Sequence, residues 1–220
     1  MPFIFDLLLL NILPLFVAIV LHEISHGVVA YWLGDDTAQK AGRFKLFTHF
    51  DLFGSFLIPL GLYLMNSPFL AGYAKPVPIN VKKFKDPMTD MALVALAGPL
   101  CNLILAFLTA FILKNIHMSA EIFQEDIIAK LTFNFLVVNL ALFWFNLIPI
   151  PPLDGSRILA TFLPVRAAMK FYALESFGIF IIIGIELICS PISQIVGHNV
   201  GLLENLVKTP LLFTIRFLLS

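Results

Sequence analysis

Residues 7–33 form one long apolar stretch, and a helix of that length, at 1.5 Å per residue, crosses the roughly 30 Å hydrocarbon core of a bilayer. Inside it, "VAIVLHEISHGVVAYWL" sets His22, Glu23 and His26 at membrane depth, where ionisable groups are costly and are kept for a partner or a function. Composition agrees with a membrane setting. Of 220 residues, 60% are hydrophobic and 13% charged, against about a quarter charged in soluble domains, and Phe alone occurs 23 times. Formal net charge is zero, which points away from nucleic acid as a partner. Cys101 and Cys189 both lie in apolar stretches and read as reduced thiols. The N-terminal "MPFIFDLLLLN" carries Asp6 without Lys or Arg, so no cleaved signal is expected.

Further spans are expected over 89–113, 131–148 and 172–190, with 200–219 an incomplete candidate because Glu204, Lys208, Pro210 and Arg216 interrupt it. Pro14 is a candidate kink in the first span. Residues 34–51 are polar and turn-rich, and their partial alternation predicts short β-strands. Residues 54–74 are apolar but broken by Pro59, Gly61, Asn66 and Pro68. "KPVPIN" after them is extended, since each X-Pro pair disfavours helix. "SRILATFLPVRAAMKF" (156–171) reads as one amphipathic interfacial helix. The fold expected is an all-α polytopic membrane protein. It has about 4–6 transmembrane helices, a re-entrant segment and short β-strands near the active site, in a single domain over 1–220.

"HEISH" matches H-E-x-x-H. On a helix, positions i and i+4 share a face, so His22 and His26 can ligate one metal ion, with Glu23 beside them as a general base. Zinc held there brings the pKa of water to about 7, and Glu23 would take its proton and return it to the leaving amine. The alternative is a helix–helix hydrogen-bonding cluster, which three adjacent ionisable groups make expensive in a membrane. Catalytic zinc ordinarily has three protein ligands. Asp154, Glu175, Glu186 and His49 are candidates for the third, Asp154 standing out because prolines in "NLIPIPP" break the helix before it.

"LHEISHG", "ALAGPLCNLILA" and "FNLIPIPPLDGSRIL" together resemble the site-2 protease family of intramembrane zinc metalloproteases. "GYAKPVPIN" resembles a compact branch without PDZ or CBS domains. The resemblance spans about residues 15–165. It implies that His22, His26 and Asp154 bind zinc and that Glu23 is the base. It also implies that Asn146 and Asn102 lie near the site as substrate-binding residues, Asn146 on substrate backbone or the developing oxyanion. Many relatives read "LDGG" or "MDGG". Ser156 replaces the second glycine here, a change expected to alter only local turn geometry.

For Asp154 and the histidines to share a metal, the first span and 131–148 must run the same way, with one crossing between them. Residues 54–74 should therefore double back. With the N-terminus outside, Lys40, Arg43, Lys45, Lys75, Lys82, Lys83, Lys85, Arg157, Arg166 and Lys170 fall inside, and only Lys114 and Lys130 outside. A crossing by 54–74 divides the same cations seven against five, a poorer fit to the positive-inside rule. The site is then nearer the cytoplasmic face of what the resemblance suggests is a bacterial inner membrane. Expected partners are the bilayer and a transmembrane protein or peptide substrate; oligomeric state is not legible. A metal transporter using the His/Glu/Asp group as a transit site is the alternative, but it calls for ligands strung along a path. A catalytically silent scaffold would have no use for Glu23. Asn139, one of three asparagines able to line a polar gap, reads more naturally as a helix–helix hydrogen bond.

Overall fold

A computed structural model of the chain describes residues 7–65, 72–115, 126–196, 201 and 203–219. Its principal elements are α1 (Leu7–Trp32), α2 (Leu52–Leu64), α3 (Pro87–Asn115), α4 (Ile127–Asn146), α5 (Asp154–Ala160), α6 (Val165–Tyr172), α7 (Gly178–Val196) and α8 (Thr209–Leu219). Three of them, α1, α3 and α4, are long and apolar enough to cross a membrane. A fourth crossing arises if Val165–Phe177 and Phe180–Cys189, which meet at 78°, form one bent span.

These helices are sided in the opposite sense to soluble ones. Phe107, Leu108, Phe111 and Ile112 of α3 are exposed, whereas His22, His26, Asn102, Thr109 and Asn139 are buried. Apolar surface faces outward as lipid contact and polar groups pair inside. Ala106 and Ala110 let α3 approach α4 closely, where Leu136 and Leu140 complete a core with Leu211 and Leu218 of α8. Pro14 sits at the start of the regular part of α1, and the six residues before it wind as a wider π-helix, so the expected kink is an unwound first turn.

Hydrogen bonds give the helix directions. Asn134 of α4 donates to the Leu10 carbonyl, and Asn139 lies level with Asn102 and Ala18. The loop after α4 then brings Asp154 to His22 and His26. So α1 and α4 run the same way. On α3 the order is reversed, Val94 meeting His26 and Asn102 meeting His22.

Helix α2 joins six π-helical residues to seven α-helical ones, about 20 Å in all and too short to cross. The chain around it closes on itself. Tyr73 N–H donates to the Gly54 carbonyl (3.0 Å), and Lys75 N–H donates to the His49 carbonyl (2.8 Å).

No β-strand occurs among the described residues, which corrects the expectation of strands near the site. Thr37–Lys40 is a helical turn, Leu46–His49 a 3-10 turn, and 72–80 is extended without a ladder. The physical reason lies in Pro76 and Pro78, which have no N–H to give a neighbouring strand. Three of the remaining donors are taken one at a time: Lys75 by the His49 carbonyl, Val77 by Glu23 and Asn80 by Asp35. A second correction concerns 156–171. Pro164 divides that stretch into α5 and α6, because proline cannot continue the hydrogen-bond ladder.

Candidate metal centre

His22 and His26 emerge from one face of α1 and both are buried, 6% exposed each. His26 Nδ1 lies 2.7 Å from the Val94 carbonyl, which only accepts, so Nδ1 carries the proton and Nε2 a lone pair. For His22 the same follows in two steps. Asn102 Nδ2 faces the Ala18 carbonyl at 3.3 Å, which fixes the amide's orientation and turns its Oδ1 to His22 Nδ1 at 2.6 Å. His22 Nδ1–H therefore donates, and its Nε2 is also bare.

Both bare nitrogens converge on one carboxylate oxygen. Asp154 Oδ2 is 3.1 Å from His22 Nε2 and 3.5 Å from His26 Nε2. It is the one buried side-chain oxygen or nitrogen among the described residues that has no hydrogen-bond donor. Three lone pairs at this spacing repel unless a cation lies among them. Ligands at 2.0–2.1 Å around tetrahedral zinc are separated by about 3.3 Å, close to both measured distances. The donor set of two imidazoles and one carboxylate, with a hydrogen-bonded partner behind each ring, fits zinc.

Two glycines make the approach possible. A Cβ on Gly98 would lie 2.5 Å from atoms of both His22 and His26, so only a bare Cα lets α3 close over the two rings. A Cβ on Gly155 would lie 2.2 Å from the Leu147 carbonyl oxygen, so glycine after Asp154 lets α5 fold back against the end of α4. Ser156, where many relatives have glycine, turns inward, and its hydroxyl donates to the Leu153 carbonyl at 2.6 Å, a local turn contact.

Glu23 lies beside the rings, its carboxylate within 4.8 Å of the histidine nitrogens. Its Oε2 accepts the N–H of Val77 at 2.9 Å. That donor belongs to the extended segment Ala74–Asn80, which is tied at both ends. Lys75 is fixed to His49, whose ring nitrogens face the carbonyls of Lys75 (3.0 Å) and Arg43 (2.7 Å). Asn80 N–H donates to Asp35 Oδ2 at 2.6 Å. Asp35 is fully buried, yet its pKa is lowered. Burial alone would raise it, and hydrogen bonds from Thr37 and Asn80, with Lys83 at 3.3 Å, outweigh that. Neighbouring Asp36 is held down to about 2 by Lys40 and Lys83, each 2.6 Å away.

The centre opens on a cavity of about 360 Å3 between α1, α3, α5 and the extended segment. It is bordered by Glu23, His26, Val77, Asp154, Arg157 and Glu175 among others.

Of the sequence-derived candidates, His22, Glu23, His26 and Asp154 meet here. Glu175 pairs with Arg157 (2.7 Å), Glu186 accepts from Leu203 N–H and His49 lies among backbone carbonyls, so none of these three joins the imidazoles. Asn102, expected beside substrate, sits behind His22 instead. It is 0% exposed and its donors go to Ala18 and Asn139, so it has none left for a ligand. Asn139 is the helix–helix partner expected, and donates in turn to the Phe135 carbonyl. Asn146 donates to Leu142 one turn earlier and does not border the cavity. Sequence reasoning missed Gly98, the Val94 carbonyl, the Val77 N–H and Arg157. Gly98 had a signal in the small pair "AGP" on a span, whereas backbone groups leave no mark in residue identity.

The description of peptidase family M50 matches this chain over residues 10–124 and 112–185. The chain belongs to peptidase family M50. Two curated relatives agree. The protein named "Putative zinc metalloprotease YwhC" from Bacillus subtilis (strain 168) is 38% identical over 175 residues, 77% of this chain and 76% of its own length. "Putative zinc metalloprotease MJ0611" from Methanocaldococcus jannaschii is 32% identical over 144 residues, 64% of this chain and 63% of its own length. No solved structure matches at the stringency both relatives pass. The M50 protein is a zinc metalloprotease and, by its three apolar helices, a multi-pass membrane protein of the site-2 protease family.

Proposed function

We propose that this metalloprotease hydrolyses peptide bonds within or beside the transmembrane segments of other membrane proteins, as a single domain over residues 1–220. The observation that carries the reading is the depth of the centre: two imidazoles on a spanning helix and a carboxylate delivered by a Pro-broken loop, buried between spans yet open to one cavity.

His22, His26 and Asp154 would hold zinc, which supplies a Lewis acid and makes water a nucleophile at neutral pH. Glu23, with Oε2 fixed by Val77 N–H, keeps its other oxygen free to take a proton from water and pass it to the departing amine. Asn102 and the Val94 carbonyl orient the two rings and fix their tautomers. Asn146, bonded to the Leu142 carbonyl and away from the cavity, is given no part in holding substrate. A helical substrate hides its backbone in its own hydrogen bonds and must unwind to enter. With Pro76 and Pro78 lacking N–H and the amides of Lys75, Val77 and Asn80 engaged, the stretch at 74–80 would meet such a segment through carbonyl oxygens and not through a full ladder.

The parallel course of α1 and α4, and the bonded ends of 54–73, support a re-entrant passage by that segment. With the cation distribution they favour a site nearer the cytoplasmic face of a bacterial inner membrane. The bent α6–α7 pair would bring the total to four crossings. The transporter alternative loses its path, because Glu175, Glu186 and His49 are engaged elsewhere.

The test is Glu23→Gln in the full chain, produced with candidate membrane proteins in cells. The expected outcome is retained zinc and uncut substrates accumulating. Cleavage at the normal rate by that variant would overturn the mechanism.

A further inference from the structure

Arg157 borders the same cavity as Glu23 and Asp154 and takes no part in holding the centre. It lies one turn after Asp154 on α5, and residues three apart share a helix face, with about 5–6 Å between their Cβ atoms. Among the described residues its guanidinium meets one oxygen of Glu175 (2.7 Å) and, weakly, the Met91 sulfur (3.7 Å). A guanidinium fork can give a carboxylate two parallel hydrogen bonds, so this contact leaves donors over. Arg157 is 30% exposed and Glu175 44%, which places the pair at the cavity mouth. An ion pair that open contributes little to stability, and its carboxylate can be exchanged at small cost.

Resting on the proteolytic reading, we propose that Arg157 determines specificity by binding an Asp or Glu side chain of the substrate in exchange for Glu175. A like-for-like exchange keeps the half-buried guanidinium paired at every stage, whereas a neutral side chain would displace Glu175 and leave the charge uncompensated. The reach also fits. An extended peptide advances about 3.3 Å per residue, so a subsite one helical turn from Asp154 receives a side chain within about two residues of the scissile bond. Glu175, on the short turn before α7, serves as the internal counter-ion that occupies the subsite when no substrate is bound.

The experiment uses the full chain in proteoliposomes and a model single-span substrate with a helix-breaking Asn-Pro in its transmembrane segment. Glu, Gln or Lys is placed singly at each position flanking that break. The unmodified protein should cleave best with Glu within two residues of the cut. Arg157→Gln should raise KM for that substrate about tenfold, leave kcat within about twofold and erase the difference between Glu and Gln. Arg157→Glu should transfer the preference to the Lys substrate, a gain that a merely misfolded variant cannot show. Glu175→Gln should lower KM for the Glu substrate about fivefold. Efficient cleavage that is indifferent to Glu, Gln and Lys, or a preference that survives Arg157→Gln, overturns the assignment while leaving the protease reading intact. Failure of the unmodified protein to cleave any member overturns that reading and this assignment with it.

Discussion

Asn102 Oδ1 lies 2.6 Å from Nδ1 of His22, and this contact between α3 and α1 decides which ring nitrogen faces the centre. The amide can do so because its own orientation is fixed by Ala18 and Asn139. Replacing Asn102 with Leu keeps the volume and removes the acceptor. Zinc affinity should fall by about 10- to 100-fold, the usual range for loss of a partner behind a ligand. Chelator competition on purified protein measures it. Asn139→Leu acts one step further back and should give a smaller loss.

Gly98 presents a steric test of the same centre. A methyl group there would sit 2.5 Å from both imidazoles, whose rings are held at Nδ1 by Asn102 and the Val94 carbonyl. Gly98→Ala should therefore lose zinc as thoroughly as a ligand substitution, although it removes no donor atom. Metal content by mass spectrometry, compared with the neighbouring Ala97→Gly, provides the measurement.

The tether at Asp35 carries a pH dependence with a definite sign. Folded-state pKa values below the ordinary carboxylate value of about 4 mean that the contribution of Asp35 and Asp36 is present above that value and is lost as pH falls below it, for Asp36 towards about 2. Hydrogen exchange of the Asn80 amide should accelerate, after correction for the intrinsic rate, as pH falls below the ordinary carboxylate range in the unmodified chain. In Asp35→Asn the exchange should already be fast at pH 7, because the buried acceptor of Asn80 N–H is weakened.

Membrane sidedness can be read with single cysteines in a variant lacking Cys101 and Cys189. A cysteine replacing Lys82 should react with an impermeant maleimide only after the cytoplasmic face is opened. Labelling of intact cells from outside would reverse the proposed orientation.

The convergence of His22, His26 and Asp154 was legible because their chemistry lies in side-chain identity: "HEISH" fixes two nitrogens on one helix face, and "PPLDG" supplies a carboxylate where prolines end a span. The prolines of 54–74 also marked its interruption, since the apolar helix there is limited to Leu52–Leu64. Residues 34–51 were misread as strands because their alternation was real but their backbone partners were not. Pro76 and Pro78 deny a ladder, and His49, read as a possible ligand, has its ring between the carbonyls of Lys75 and Arg43 instead. Asn102 was assigned to substrate by the family resemblance alone. Only three-dimensional contacts reveal that it is saturated behind His22.

The sharing of one zinc ion by helix α1 and the first residue of α5 is tested most directly by zinc stoichiometry and X-ray absorption on purified protein. One zinc per chain is expected, with nitrogen and oxygen ligands at 2.0–2.2 Å, together with loss of the metal in His22→Ala, His26→Ala and Asp154→Ala and its retention in Glu23→Gln. Full zinc occupancy with an unchanged absorption edge in Asp154→Ala would contradict the account.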